Sequence, residues 1–246
     1  MTVLWTKVRR DLWQARGQAA AIGLVVACAV ATFSGSVATA RALARSRDLW
    51  YGQAGMPDVF ARAERAPSPV AARIAAIPGV AQLEARAVGN ARVAWPGGSA
   101  RVELVSLAPG GGLGRLHVRR GRLPGKGEGA ISEGFAAAAG IAPGDRLELT
   151  VNGRLQPITV SGVVLSPEHV YALPPGGLLP DDRAFGLLWM PREAVEAALD
   201  LEGAFDEVAL RLAPGASAAE VVAQVDAILR PFGCRGAFGK DRLLSN

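Results

Sequence analysis

The sequence has few of the residues that build most chemical sites. It contains two cysteines and two histidines in 246 residues. Cys28 lies within an apolar run and Cys234 lies near the C-terminus, so no disulfide framework is predicted. The histidines, His117 and His169, stand far apart, and the neighbours Glu168 and His169 cannot place two ligands on one face of a strand or helix. We therefore expect no zinc site.

The sequence also lacks the motifs of nucleotide-binding proteins and of common enzymes. The glycine run Gly110–Gly114 departs from the dinucleotide-binding fingerprint because Arg115 stands where that fingerprint needs a glycine. The segment Gly121–Gly127 lacks the glycine spacing and the hydroxyl residue of a P-loop. Asp181 and Asp182 lie among Pro and Gly, which favours a solvated turn over a cation site. The sequence thus offers no catalytic, cofactor-binding or metal-binding residue and assigns no substrate-binding residue, and we expect no enzyme.

Charge of one sign is not concentrated in any stretch that would bind nucleic acid. The net charge is +5, but Lys and Arg are scattered among Asp and Glu, and aromatic residues make up only 6% of the chain. A nucleic-acid interface needs a basic stripe interleaved with aromatic side chains. We expect no nucleic-acid partner, and the predicted use of the charge is contact with anionic membrane lipids beside the first helix.

One long apolar run is present near the N-terminus. No charged residue occurs between Arg16 and Arg41. A helix of about 24 residues is about 36 Å long, which exceeds the roughly 30 Å hydrocarbon core of a bilayer. We predict a transmembrane helix and stalk over residues 17–54. A cleaved signal peptide is the alternative, since Ala38–Ala40 fits a small-x-small cleavage site, but the helical pattern continues without a breaker to Gly52.

Residues 1–16 are predicted to form an amphipathic helix at the membrane interface. Leu4, Val8 and Leu12 recur every four positions, and the basic residues among them can reach the headgroups. A disordered basic leader is the alternative. The basic cluster favours a cytoplasmic N-terminus, with the domain that follows on the other side of the membrane.

The remainder of the chain is predicted to be α+β. Helix and strand patterns alternate over 56–112 and again over 185–238, which indicates an extracytoplasmic core of two βαβ-like halves. A small β-rich subdomain over 115–175 is predicted to be inserted between them, and Asn152-Gly153 marks a hairpin within it. Residues 239–246 are predicted to begin a return to the membrane.

Serine residues are predicted to begin three of the helices. Ser68 precedes Pro69, and Ser132 precedes a short helical pattern. Ser217 and Glu220 form a capping box ahead of a helix with one apolar face, which Gly233 ends.

Several stretches of this α+β region, among them Gly129–Phe135, Phe185–Met190 and Gly203–Val208, resemble the FtsX-like permease family of ABC transporters, in particular members with a MacB-type periplasmic core domain. The resemblance covers nearly the whole chain, beginning with the leader and first membrane helix. Its most specific stretches are Gly129–Phe135, Ala142–Asp145, Ser166–Tyr171, Phe185–Met190 and Gly203–Val208. None of them carries catalysis, so the resemblance concerns architecture more than substrate.

The resemblance implies a membrane permease subunit in the bacterial cell membrane, with its main domain in the periplasm. A separate ATP-binding cassette ATPase would hydrolyse ATP, and the permease would act as a homo- or heterodimer with a further periplasmic partner. Family members continue into more membrane helices, so we expect this chain to be an N-terminal part. Two alternatives stay open: an FtsX-like regulator of extracytoplasmic cell-wall hydrolases, and a single-pass anchored binding module.

Overall fold

The computed structural model describes residue 5 and residues 16–169 and 181–240. Its chain divides into two units, residues 1–50 and 51–246, and each is described by itself. The predicted interfacial helix over 1–16 and the predicted return to the membrane over 239–246 lie almost entirely outside the described residues.

The first unit is dominated by one long helix, α1 (Arg16–Ala54). Its part from Arg16 to Leu43 is long and apolar enough to cross a membrane. Two hydroxyls inside this part are bonded to the helix itself, since Thr32 Oγ1 donates to the Cys28 carbonyl and Ser36 Oγ to the Thr32 carbonyl, each at 2.8 Å. Hydroxyls bonded to the backbone of their own helix are compatible with a hydrocarbon environment.

The second unit alternates strands with short helices. In chain order the elements are β1 (Val59–Pro67), α2 (Ser68–Ala75), β2 (Val80–Arg86), β3 (Val88–Trp95), β4 (Gly98–Leu107), β5 (His117–Gly121), β6 (Glu128–Ser132), α3 (Glu133–Ala139), β7 (Arg146–Val151), β8 (Arg154–Leu165), β9 (Phe185–Pro191), α4 (Arg192–Leu199), β10 (Ala204–Leu212), α5 (Ala218–Leu229) and β11 (Ala237–Gly239). They form two sheets.

The first sheet, called sheet I, has the order β11-β1-β10-β2 with antiparallel neighbours. The units β1-α2-β2 and β10-α5-β11 interleave, because each places its two strands on either side of a strand from the other. This is the split β-α-β arrangement. One face of sheet I packs on α2 and α5 through a core that includes Val59, Ile74, Val208 and Val225.

The second sheet closes on itself. Its order is β5-β8-β6-β9-β4-β3-β7, and β7 pairs back onto β8, so six strands form a closed ring with β5 attached to β8. We call this ring, with β5, the barrel. Its core packs strand residues such as Leu104, Leu149 and Leu188 against Phe135 of α3 and Val195 of α4. Closure leaves no unpaired edge in the ring itself.

The boundary between the two parts differs from the one that the sequence predicts. Strands β3, β4 and β9 lie within the predicted βαβ-like halves 56–112 and 185–238, yet they pair in the barrel. The inserted part therefore begins after β2, near Ala87, and ends before β10, not at the predicted 115–175. Alternation of apolar residues fixes the face of a strand but not its partner in the sheet, which depends on pairing with distant segments.

The predicted hairpin turn and one predicted helix cap are present in the structure, and another predicted cap is not. Asn152 and Gly153 have φ of 48° and 75° and join β7 to β8 in a two-residue turn, as the Asn-Gly pair predicts. Ser217 Oγ accepts the Glu220 N–H at 3.4 Å, which confirms this cap of α5. Ser132 stands before α3, but its hydroxyl accepts the Leu187 N–H at 3.3 Å instead of capping the helix.

The prediction of Ser68 as an N-cap is wrong. Pro67 occupies the capping position of α2, and Ser68 is already the first helical residue. The Ser68 N–H donates to the Gly203 carbonyl at 2.9 Å, so sheet contacts, rather than a side-chain cap, satisfy this end of the helix.

Candidate functional site

The most distinctive feature of the second unit is a row of charges on sheet I, in which Glu207 and Arg86 are buried and Arg62 is half-buried. Arg62 of β1, Glu207 of β10 and Arg86 of β2 stand directly opposite one another across three adjacent strands. Arg62 Nε donates to Glu207 Oε2 at 2.6 Å, and Arg86 Nη1 lies 3.8 Å from Glu207 Oε1. This face of sheet I is the one opposite α2 and α5, because side chains alternate along each strand.

Arg86 also reaches the barrel. Its Nη1 and Nη2 donate to the two carboxylate oxygens of Glu168, which follows β8, at 2.5 and 2.9 Å. Its Nε donates to Glu84 Oε1 at 2.8 Å. The side chains of Arg86 and Glu168 are each only 5% exposed, so this bidentate pair is sheltered from solvent screening.

A second bridge joins the same two sheets. Arg62 Nη2 donates to Glu103 Oε1 of β4 at 2.9 Å. His169 stands on the other side of Glu103, with Nε2 at 3.8 Å from Glu103 Oε2 and Nδ1 at 3.2 Å from Ser166 Oγ. We call Arg62, Glu84, Arg86, Glu103, Glu168 and Glu207 together the charge network.

The glycine-rich segment between β4 and β5 covers the charge network. The Leu113 N–H donates to Glu84 Oε2, and the Leu113 carbonyl accepts from Arg86 Nη2 at 3.0 Å. Gly112 and Gly114 have φ of 42° and 60°, and a β-carbon on either would overlap the carboxylate of Glu84 or Glu168 respectively. Glycine is therefore required twice, for the backbone conformation and for the close approach of two carboxylates.

The same segment binds the end of α1. The Gly114 N–H donates to the Gly55 carbonyl at 3.0 Å, and the Arg115 N–H donates to the Ala54 carbonyl at 2.7 Å. Leu113 itself packs in a small apolar cluster with Met56, Phe60 and Ala209. We call residues Gly110–Arg115 the clasp, because this one loop contacts the last residues of α1, sheet I and the charge network.

Electrostatics favour the charged forms of the two arginines in the charge network. Burial alone would lower the pKa of Arg86, but the charge and hydrogen bonds of Glu168, with Glu84 and Glu207, outweigh it and raise that pKa above its ordinary value. For Arg62 burial is likewise outweighed by Glu207 and Glu103, and its pKa is raised. Both guanidinium groups therefore stay charged at any pH at which the protein folds.

One carboxyl beside the network behaves differently. Burial raises the pKa of Asp206 to about 7, although the Val88 N–H donates to its Oδ1 at 2.8 Å and opposes the shift. Asp206 and Arg62 line a polar cavity of about 390 Å³ at the junction of the two sheets. The hydrogen bond fastens the start of β3 to β10, so Asp206 ties the point where the chain enters the barrel.

The residues that the sequence singled out for chemistry are not brought together. His117 lies exposed on β5, and the described residues show no contact between it and His169. Asp181 Oδ1 accepts the N–H groups of Arg183 and Ala184 at 3.1 Å each, which is a local turn. Within residues 16–169 and 181–240 no group of three or more His, Cys, Asp or Glu side chains could hold a metal ion.

Sequence reasoning missed the charge network and the role of the clasp. Glu84 and Arg86 alternate with apolar residues in β2, which is the usual pattern of a solvated face. The glycine run was predicted to be a simple connection, and its glycines are explained only once Glu84 and Glu168 are known to press against it. The available signal was the concentration of glycines itself, since such runs mark close approaches of the backbone.

These features define an α+β domain whose two sheets meet at one junction, where the clasp also binds Ala54 and Gly55. The sequence of residues 19–228 matches the MacB-like periplasmic core domain family, and the chain belongs to that family. This confirms the resemblance found in the sequence. Together with α1, family membership fits a membrane-anchored extracytoplasmic domain.

Two solved structures are similar to this chain, and the first of them supports the fold. The extracellular domain of the noncanonic ABC-type transporter YknZ from Gram-positive bacteria is 14% identical, with a TM-score of 0.50, over 73% of this chain and 98% of that one. The periplasmic region of MacB from Actinobacillus actinomycetemcomitans is 11% identical, with a TM-score of 0.49, over 78% of this chain and 92% of that one. No curated protein matches the chain.

Proposed function

We propose that the chain is part of the membrane permease subunit of an ABC transporter, with its second unit outside the cytoplasm. The observation that carries this proposal is the family match, which runs from within α1 through both sheets to α5. The apolar part of α1 supplies the anchor, and the basic residues before it favour a cytoplasmic N-terminus.

In this proposal the chain hydrolyses nothing itself. A separate ATP-binding cassette ATPase supplies the energy in the cytoplasm, and two permease subunits, alike or different, associate in the membrane. Membrane lipids surround α1, and a periplasmic partner completes the assembly. The substrate stays unassigned, and so does the choice between moving a solute and regulating a cell-wall hydrolase.

The clasp and the charge network provide a route from Ala54 and Gly55 to both sheets. Ala54 and Gly55, at the end of α1, are held by backbone hydrogen bonds from the clasp. Leu113 of the clasp is bonded to Glu84 and Arg86 on sheet I, and Arg86 is bonded to Glu168 of the barrel. A displacement at the end of α1 is thereby passed to both sheets through short, buried contacts.

The test uses the complete permease with its ATPase in proteoliposomes. Arg86→Met removes the charge that joins sheet I, the clasp and the barrel while keeping much of the side-chain volume. We expect ATP hydrolysis to continue while substrate transport, or activation of a hydrolase partner, falls at least several-fold. Arg154→Met is the matched control, because Arg154 forms an exposed pair with Asp200 at 3.2 Å on the barrel surface.

Two outcomes would contradict the proposal. An N-terminus that begins near Arg41 in membrane-purified protein would show that α1 is cleaved and anchors nothing. A complete permease that neither associates with an ATPase nor changes activity with ATP would remove the transporter assignment and favour the anchored binding module.

A further inference from the structure

A cleft of about 780 Å³ opens at one end of the barrel. The parallel strands β4 and β9 both end there, at the paired residues Leu107 and Pro191. The segment Leu123–Lys126 between β5 and β6 forms another wall, and the first residues of α4 complete it. The mouth of a barrel is a common position for a ligand site, and this volume is in the range of sites for small molecules.

The walls of the cleft are mostly apolar. The apolar side chains that line it are Leu107, Ala108, Pro109, Leu123, Pro124, Pro191 and Ala194. Leu123 is 40% exposed, so a large aliphatic side chain faces the opening without a cover among the described residues. A concave apolar surface of this kind gains free energy when an apolar group replaces the water inside it.

The charges that line the cleft are mixed, and one of them is a lysine without an ion pair. Lys126 lines it and has no ion pair with a described residue, whereas Arg192 is bonded to Glu196 at 2.5 Å and Glu193 supplies one acidic group. From Arg115 to Lys126 the chain carries only basic charges. Carboxylates pair with some of these basic residues, whereas Lys126, at the edge of the cleft, has no carboxylate partner among the described residues.

Two arginines in the chain before Lys126 are paired with carboxylates. Arg119 is paired with Glu133 at 3.1 Å, and Arg122 with Glu128 at 2.6 Å. Arg120 has no such partner among the described residues. An occupant that combines an apolar body with one negative end therefore matches both the walls and the rim.

We propose that this cleft binds one molecule of an anionic single-chain amphiphile, such as a fatty acid, with its chain against Leu107 and Leu123 and its head beside Lys126. Binding needs no ATPase, so the proposal goes beyond the permease role and can fail independently of it. A flat bilayer surface fits less well, because the apolar residues line a hollow rather than project from the surface. An acidic protein segment is the other occupant that the charge would accept.

The experiment uses the full chain in phosphatidylcholine nanodiscs and a photoreactive palmitate that carries a diazirine in its chain. After irradiation, mass spectrometry locates the labelled peptides. We expect labelling at residues 107–110, 123–126 and 191–194. The methyl ester of the same probe, which lacks the negative charge, should label these peptides several-fold less.

Two pairs of variants sharpen the test. Lys126→Glu and Leu123→Asp should each lower cleft labelling several-fold. Their matched controls are Arg146→Glu and Leu155→Asp, since Arg146 is an exposed residue of β7 and Leu155 is 64% exposed on β8. Thermal melts of all four variants show which of them stay folded, and Lys126→Glu, on an exposed loop, keeps the test valid if Leu123→Asp does not fold.

Three results would overturn the proposal. Labelling confined to α1 would mean that the probe reports only the surrounding lipid. Equal labelling by the acid and the ester would remove the role of the negative head. Displacement of cleft labelling by a soluble polyglutamate peptide, with no displacement by unlabelled palmitate, would assign the surface to an acidic protein partner instead.

Discussion

Arg86 of sheet I and Glu168, in the segment that follows β8 of the barrel, form a bidentate ion pair, with both side chains 5% exposed. Such a pair does not by itself show a gain in stability, because removing two charges from water offsets much of their attraction. If either residue were lost, the other would remain as a buried charge without a counterion. The pair thereby makes the contact between sheet I and the barrel specific.

The fragment 51–246 should fold as a soluble domain. It contains both sheets, the clasp and the residues Ala54 and Gly55 to which the clasp is bonded, and it is one compact unit. We expect a single cooperative transition in thermal and denaturant unfolding followed by circular dichroism. A fragment that ends at residue 236 is the control, because it loses β11 and its pairing with β1, and should be less stable. A gradual, non-cooperative melt of 51–246 would contradict independent folding.

Substituting one residue of the Arg86–Glu168 pair should lower the free energy of unfolding disproportionately, because the other residue stays buried without its partner. Arg86→Met leaves Glu168 buried with a charge and no counterion, which should lower the free energy of unfolding by about 3–5 kcal/mol. The double variant Arg86→Met with Glu168→Met should lose less than the sum of the single changes, and urea unfolding of 51–246 would measure all three. Arg154→Ala at the exposed pair with Asp200 should change stability by less than about 0.5 kcal/mol. Additive single changes would mean that the two residues are not coupled.

The pH dependence of stability should reveal Asp206. Its pKa is about 7 in the folded domain and about 3.9 in an unfolded chain, so the folded state binds the extra proton between these values. This contribution is fully present below about pH 4 and is lost as the pH rises through 7. Asp206→Asn keeps an acceptor for the Val88 N–H and should remove about 2 kcal/mol of the fall in stability between pH 5 and 8.

The control for Asp206 is Asp200→Asn, since the Asp200 side chain is 58% exposed and lies on the surface. Denaturant unfolding of 51–246 at pH 5, 6, 7 and 8 gives the slope for each variant. An Asp206→Asn variant with the same slope as the wild type would show that Asp206 is ionised throughout and that its burial is compensated.

Substitution of Gly114 should open the clasp. A β-carbon there would overlap the Glu168 carboxylate, and the φ of 60° adds strain for any other residue. Gly114→Ala should therefore destabilise 51–246 by about 3 kcal/mol, of which backbone strain alone accounts for about 1. Gly110→Ala is the matched control, because Gly110 has a φ of 81° but nothing within 4 Å of its β-carbon position. Equal effects of the two changes would mean that Glu168 moves aside at no cost.

Helix α5 offers a comparison between burial and capping. Val225 is fully buried against sheet I, and Val225→Asp should cost about 3–5 kcal/mol because it places an unpaired charge in that core. Ser217→Ala removes only the cap on the Glu220 N–H and should cost about 1 kcal/mol. Urea unfolding of both variants in 51–246 decides, and a Val225→Asp variant no weaker than Ser217→Ala would contradict the packing of this face.

The features that could be predicted from the sequence are those that depend on residues close together in the chain. Asn152-Gly153, the cap at Ser217 and the apolar run of α1 are local signals, and the structure has the turn, the cap and the long helix at these places. Each rests on residues that lie within a few positions of one another. Such features are available from sequence because no distant contact has to form first.

Features that depend on contacts between distant parts of the chain could not be predicted from the sequence. Strands β4 and β9 pair in parallel although they are far apart in the chain, and nothing in their apolar patterns names the partner. Glu84 and Arg86 have the composition of a solvent-facing edge, and they are buried only because the clasp and the barrel cover them. The charge network is therefore a property of the assembled domain rather than of any one segment.

The place at which the barrel joins sheet I has a consequence for the domain's construction. Strands β2 and β10 are antiparallel neighbours, with Arg86 directly opposite Glu207, and the barrel is everything that the chain does between them. In topological terms the barrel is the loop of a β-hairpin. The entropy of closing a loop grows only slowly with its length, and this loop has a core of its own. A short turn in place of residues 88–203 would keep all four strands of sheet I and the pairs between them, so the smaller fold remains complete within the larger one.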